Sequence, residues 1–193
     1  MYQPPILEQR LAALVRSSAE LMAALSAARS LGLGSWCIGA GAVRTLVWDD
    51  LHGHTVPTPL ADVDLVYFAP DAPLQRDAQL EACLRTAMPS LAWEVTNQAY
   101  VHTWFMREFG REVPPLLSLE DGVATWPEYA TCVGVSLDAD GTIRVIAPHG
   151  LEDLFALRVR HNPARADIDT YRQRVASKRF AQRWPLLVIA SLQ

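Results

Sequence analysis

Three carboxylates and one glycine turn carry the chemistry of this 193-residue sequence. Asp62 and Asp64 flank Val63 at the start of a β-branched and aromatic run that ends at Phe68. In a strand, side chains at i and i+2 share a face, so the two carboxylates stand side by side. Like charges this close are costly unless a proton or cation lies between them, and a divalent metal suits the pair. A third acid, Glu94, falls in a second strand-like run over residues 91–96. There it shares a face with Thr96, while Trp93 and Val95 take the other. Upstream, Gly39-Ala40-Gly41-Ala42 separates the apolar run Trp36-Cys37-Ile38 from a segment with helical spacing, Val43, Leu46 and Val47. A glycine turn that opens a helix offers backbone N–H groups and a positive helix end to a phosphate. Arg44 follows directly and is a candidate phosphate contact or a structural ion pair.

Three reactions use such parts. A dinucleotide-binding fold would pair Gly39-x-Gly41 with an acid about 20 residues on. However, the third glycine position is Arg44, and the acids come as a pair. A glycosyltransferase would use an Asp-x-Asp pair to hold a metal against a sugar nucleotide, but only one strand precedes the pair here. Nucleotide phosphoryl transfer uses carboxylates to clamp metals about 3.5–4 Å apart around an in-line displacement. Two acids on one strand, a third on a neighbour and a phosphate-binding turn supply that arrangement in a workable order.

The elements that must position these groups follow from periodicity. Residues 6–31 read as one amphipathic helix, stopped by Gly32 and Gly34. Next come a short strand, the glycine turn, a helix to about Asp50, and a loop over residues 51–60. That loop carries His52 and His54, which are solvated side chains or metal ligands. Residues 73–88 read as a helix, and residues 97–105 form an aromatic segment compatible with one. Ser118 reads as a helix cap. Two strand-like runs, residues 131–137 and 142–146, are joined by a turn that holds Asp138 and Asp140. Two helices follow, residues 151–160 and 165–184. The second gathers Arg165, Arg172, Arg174, Lys178, Arg179 and Arg183, either as a solvated face or as a phosphate-binding surface. The expected fold is therefore α/β (α+β): a small mixed sheet flanked by helices in a single domain, residues 1–193. Its catalytic core spans about residues 35–147, and its C-terminal part, residues 150–193, is helical.

Composition narrows the partners. Hydrophobic residues make up 50% and charged residues 20%, which fits a packed globular chain. The net charge of −4 argues against nucleic acid as a partner. Cys37, Cys83 and Cys132 lack metal-ligand spacing and read as buried, reduced thiols. No apolar run approaches the ~20 residues of a membrane span. The opening MYQPPILEQR lacks the pattern of a signal peptide, so a cytoplasmic location without membrane contact is expected.

Gly39-Ala40-Gly41-Ala42, then Asp62-Val63-Asp64, then Glu94 resembles the nucleotidyltransferase superfamily of DNA polymerase β. Its pattern is Gly-Gly or Gly-Ser, then Asp-x-Asp, then a later carboxylate. The closer likeness is to bacterial nucleotidyltransferase-like proteins of unassigned substrate. It extends through Trp93-Glu94-Val95-Thr96-Asn97, Trp126-Pro127 and Ala147-Pro148-His149-Gly150. Alanine stands where the pattern has its second Gly or Ser. The resemblance implies transfer of a nucleoside monophosphate from an NTP to an acceptor, a small molecule or a protein, with pyrophosphate leaving. It implies Mg²⁺ or Mn²⁺ on Asp62, Asp64 and Glu94, with Glu94 alternatively the base. Gly39, Ala40, Gly41, Ala42, Arg44 and Lys178 are the expected phosphate contacts. The alternative is a non-catalytic module that binds nucleotide or a partner on the same fold.

Overall fold

The structure, a computed structural model, describes residues 6–190. The MYQPP opening and the last three residues of the expected C-terminal helical part lie outside the described residues. The elements in order are α1 (Ile6–Ser17), α2 (Ala19–Arg29), β1 (Trp36–Gly39), α3 (Gly41–His52), β2 (Val63–Tyr67), α4 (Arg76–Ala87), β3 (Trp93–Asn97) and α5 (Val101–Phe109). Then come α6 (Leu119–Ala124), β4 (Gly134–Leu137), β5 (Ile143–Ile146), α7 (Glu152–Phe155), β6 (Arg158–Val159), α8 (Ile168–Lys178), α9 (Phe180–Arg183) and β7 (Val188–Ile189).

Five strands form one mixed sheet in the order β3-β2-β1-β4-β5. β2 and β3 run parallel, and the other neighbours are antiparallel. Alternation assigns its two faces. Ile38, Val63, Leu65 and Tyr67 point into the main core with Leu11, Leu25, Val47 and Trp48, beneath α1, α2 and α3. Cys37 and Val66 point the other way, into a smaller cluster with Leu119, Val123 and Cys132. Asp64 lies two residues before Val66 and therefore belongs to this second face. Gly134 is bare because an added methyl group would strike the Cys37 sulfur.

Several expected elements differ. The first helix is two, bent by 94° at Ser18, whose hydroxyl accepts from the Leu21 N–H at 3.2 Å. That cap satisfies an end N–H that a continuous helix would not leave open. The expected C-terminal helix pair is also divided. Arg179 adopts a left-handed conformation (φ 55°) between α8 and α9. β6 and β7 pair as a two-stranded parallel sheet where only helix was expected. From Val101 onward the aromatic segment is helix α5, while Asn97 closes β3, and Ser118 caps α6 by accepting from the Asp121 N–H at 3.0 Å. Cys37 and Cys132 are buried, but Cys83 is exposed, because it faces outward on α4. No single described helix is long and apolar enough to cross a membrane.

Candidate active site

β1 delivers the chain to a sharp turn at Ala40, a non-glycine residue at φ 47° and ψ −107°. Such a conformation is costly and persists only where its surroundings enforce it. Here the Ala40 N–H donates to the Val133 carbonyl at 3.1 Å, and its own carbonyl accepts from Arg44 N–H at 3.0 Å, opening α3. Gly39 has a packing reason for its bare Cα: the Trp126 ring lies against it, with Val133 O 3.0 Å from an added methyl group. Gly41 brings the start of α3 to the acids. A methyl group there would sit 3.6 Å from Asp62 Oδ1 and 3.7 Å from Arg44 Nη2. Ala42 turns its side chain into the main core.

Asp62 immediately precedes β2, and Asp64 is its second residue. In the parallel pairing Asp64 is in register with Glu94 of β3, which is exposed. Burial pushes the Asp64 carboxyl up to about 6; the carboxylates of Asp62 and Glu94 add to the rise, and Arg174 and Lys178 oppose it. Asp64 therefore feels both other acids. Among the described residues, however, no three His, Cys, Asp or Glu side chains are gathered to hold one ion. The donor chemistry of Asp62 and Asp64 still fits Mg²⁺. That ion commonly takes one or two carboxylates and completes its shell with water and substrate phosphates.

Cations surround the pair. Lys178 ends α8, with Nζ 3.6 Å from Asp62 Oδ2. Arg44 is buried among Trp48, Phe180 and Trp184, its Cζ 5.5, 4.9 and 5.7 Å from the ring centroids. Its Nε and Nη1 have no hydrogen-bond partner. Burial lowers its pKa to about 10, Arg174 adding to the fall while Glu128, Asp62 and Asp64 oppose it, so it stays cationic at neutral pH. Gly41, Arg44, Asp62, Lys178 and Arg183 line one cavity of about 300 Å³ on the Asp62 side. Arg174 stands on the Asp64 side, fixed by Glu128, which is fully buried and accepts from Arg174 Nε and Thr131 Oγ1 at 2.7 Å each. Arg174 and Arg183 were legible only as members of a basic helix; their convergence is tertiary.

The remaining candidates are structural. His54 Nδ1 meets Asp49 Oδ1 at 2.9 Å, and His52 Nδ1 meets the Trp48 carbonyl at 2.7 Å. Asp140 accepts from the Thr142 N–H at 2.8 Å within its turn.

A strained turn that opens a helix beside two carboxylates, on a five-stranded mixed sheet, defines a nucleotidyltransferase fold. The chain matches a nucleotidyltransferase family over residues 26–189 and belongs to it. Among solved structures it is similar to a protein whose NMR structure reveals a CCA-adding enzyme head domain. The TM-score is 0.79 with 28% identity, covering 95% of this chain and 96% of that one. A tRNA-processing enzyme shares the fold at TM-score 0.52 and 19% identity; 86% of this chain covers 43% of that one. No curated protein matches.

The head-domain neighbour overturns the expectation that nucleic acid is an unlikely partner. Net charge averages over the whole surface, whereas Arg44, Lys178 and Arg183 line a cavity on one side of the aspartates and Arg174 a cavity on the other.

Proposed function

We propose that the protein is a metal-dependent nucleotidyltransferase. It moves a nucleoside monophosphate from an NTP to an acceptor hydroxyl and releases pyrophosphate, with the fold acting as one catalytic unit. The observation that carries this reading is the convergence of Asp62, Asp64, the start of α3 and the unpartnered donors of Arg44. A buried guanidinium with two unpaired N–H groups is costly unless an anion beside it offsets its charge. Nε and Nη1 are sealed from solvent, so a polyphosphate in the adjoining cavity would meet the charge and the Nη2 edge, which lies toward Gly41.

In this reading Asp62 and Asp64 hold Mg²⁺ or Mn²⁺, which would neutralise charge on the transferring phosphoryl group. Gly41 and Ala42 present N–H groups at the positive end of α3. Arg44, Lys178 and Arg183 bind the β- and γ-phosphates. Lys178 leaves Asp62 for phosphate when nucleotide enters, since an ion pair at 3.6 Å with both side chains partly exposed is weak. Glu94 is the base that accepts the acceptor's proton. Gly39 and Ala40 shape the turn.

Mg²⁺-dependent pyrophosphate release, assayed with each of the four NTPs, tests the reading. Release abolished by Asp64→Asn supports transfer. Tight NTP binding with no release on any acceptor would return the protein to a nucleotide-binding module.

A further inference from the structure

A second cavity, of about 260 Å³, opens on the Asp64 side of the carboxylate pair and shares no lining residue with the one that Asp62 lines. We infer that this cavity receives the acceptor, and that the acceptor is a nucleoside monophosphate unit bearing a free ribose hydroxyl. The inference rests on the transferase reading above.

Geometry assigns the cavity its role. In an in-line displacement the attacking and leaving oxygens lie on opposite sides of phosphorus. The bond from the acceptor oxygen to the α-phosphorus forms as the bond from that phosphorus to the β-bridging oxygen breaks. Pyrophosphate leaves, and the hydroxyl proton passes to Glu94. Asp62 and Asp64 are two residues apart, just before β2 and within its start, and each lines a different cavity. The cations of Arg44, Lys178 and Arg183 lie at the Asp62 end and suit the leaving pyrophosphate. The hydroxyl must then approach from the Asp64 end, where the second cavity is. The nucleoside of the NTP, attached through an oxygen at right angles to that line, does not occupy it.

The lining gives the chemical class. Trp104, Phe105, Phe109 and Trp126 supply flat aromatic surface, and Phe109 is 49% exposed at the rim despite its size. Phe105 and Phe109 have ring centroids 4.5 Å apart, and Trp104 stacks on Phe105 at 6.3 Å. Arg165 is buried with Cζ 5.5 Å from the Phe105 ring centroid, and its Nη1 lacks a hydrogen-bond partner. Arg174 faces the cavity from α8, clamped by Glu128. Aromatic rings beside two arginines suit a planar base joined to an anionic phosphate. The cavity holds one such unit. It arrives as a free mononucleotide or as the end of an RNA chain.

The test is calorimetric binding of AMP, a short single-stranded RNA oligonucleotide and α,β-methylene-ATP with Mg²⁺. The proteins are wild type and the variants Trp104→Ala, Phe109→Ala, Arg165→Gln and Lys178→Gln. The inference expects Trp104→Ala to weaken AMP or RNA about fivefold or more, the loss of one base–aromatic stack, and to leave α,β-methylene-ATP unchanged. Lys178→Gln gives the reverse pattern if the transferase reading holds, so the two claims fail separately. RNA binding tighter than AMP identifies a chain end as the source, and equal binding identifies the free nucleotide. Arg165→Gln removes a bond to the Pro114 carbonyl and can unfold the chain; Phe109→Ala, at the rim, keeps the test open. The inference is overturned if neither AMP nor RNA binds, or if Trp104→Ala and Phe109→Ala weaken α,β-methylene-ATP as much as AMP.

Discussion

Asp64 and Glu94 stand in register on adjacent parallel strands, with Asp64 half-sheltered and Glu94 exposed. Because parallel register sets them side by side, the Glu94 carboxylate raises the cost of ionising Asp64. With Asp62 next along the chain, the fold concentrates negative charge where a turn and a basic helix concentrate positive charge.

That relationship sets a pH dependence. Asp64 is raised to about 6 in the fold, against about 3.9 for a free aspartate. The folded state therefore keeps a proton that the unfolded chain loses. Stability without metal is highest below about pH 4 as regards this group, and falls between about pH 4 and 6 by roughly 2 kcal/mol. Thermal melting in EDTA across that window should show the decline in wild type and a flatter profile in Asp64→Asn. Metal affinity runs oppositely, weakening as pH drops below about 6, because the ligand must be deprotonated.

Arg44→Met tests whether that arginine is retained for ligand or for stability. Three cation–π contacts favour it, each worth about 0.5–2 kcal/mol. Two unpaired buried N–H groups and a desolvated charge oppose it, costing about 1–3 kcal/mol per group and more for the charge. Methionine fills the space without those costs. The nucleotide-free variant should melt at or above wild type yet bind α,β-methylene-ATP at least about tenfold more weakly, the loss of a charged hydrogen bond. A variant that melts well below wild type would make Arg44 a structural pillar.

Gly39→Ala tests packing at the turn. The added methyl group meets the Trp126 ring and the Val133 carbonyl, and that backbone cannot retreat. A loss of about 1–3 kcal/mol is expected in denaturant unfolding. Trp126→Leu in the same chain should recover part of it. No recovery would mean that the carbonyl, not the ring, sets the limit.

Glu94→Gln separates binding from turnover. General-base assistance is typically worth 10²- to 10⁴-fold, so pyrophosphate release should fall about 10²-fold or more. Affinity for metal and α,β-methylene-ATP should stay within a few-fold, because Glu94 stands exposed beside the pair and not in a three-ligand cluster. Equal losses in affinity and turnover would make Glu94 a metal ligand.

Strong local signals were legible in the sequence. Alternation placed β2 and β3 with Trp93 and Val95 inward and Glu94 outward, because the Trp93 and Val95 face packs on the main core. Ser118 and the hairpin at Asp140 were read from their own side-chain chemistry. Features without a local signature escaped. The Ala- and Leu-rich pattern runs through Ser18, so the bend between α1 and α2 was hidden. Arg179 gives no warning of a left-handed conformation, and two-residue strands such as β6 and β7 are too short for periodicity to register. At the site, the acids and the turn lie close along the chain. Trp104, Arg165, Arg174 and Arg183 reach it only when α5, the loop before α8, α8 and α9 pack, so chain order could not assemble them.

Binding of Mn²⁺ in the presence of α,β-methylene-ATP, read by electron paramagnetic resonance, tests the central claim most directly. Asp62 and Asp64 are proposed to hold a divalent cation against a nucleotide's phosphates, and Mn²⁺ reports that contact without needing the acceptor. Nucleotide-dependent Mn²⁺ binding in wild type, lost in Asp62→Asn/Asp64→Asn while that double variant melts no lower than wild type in EDTA, is the predicted result. Mn²⁺ binding that ignores the nucleotide, or that survives loss of both carboxylates, would contradict the account.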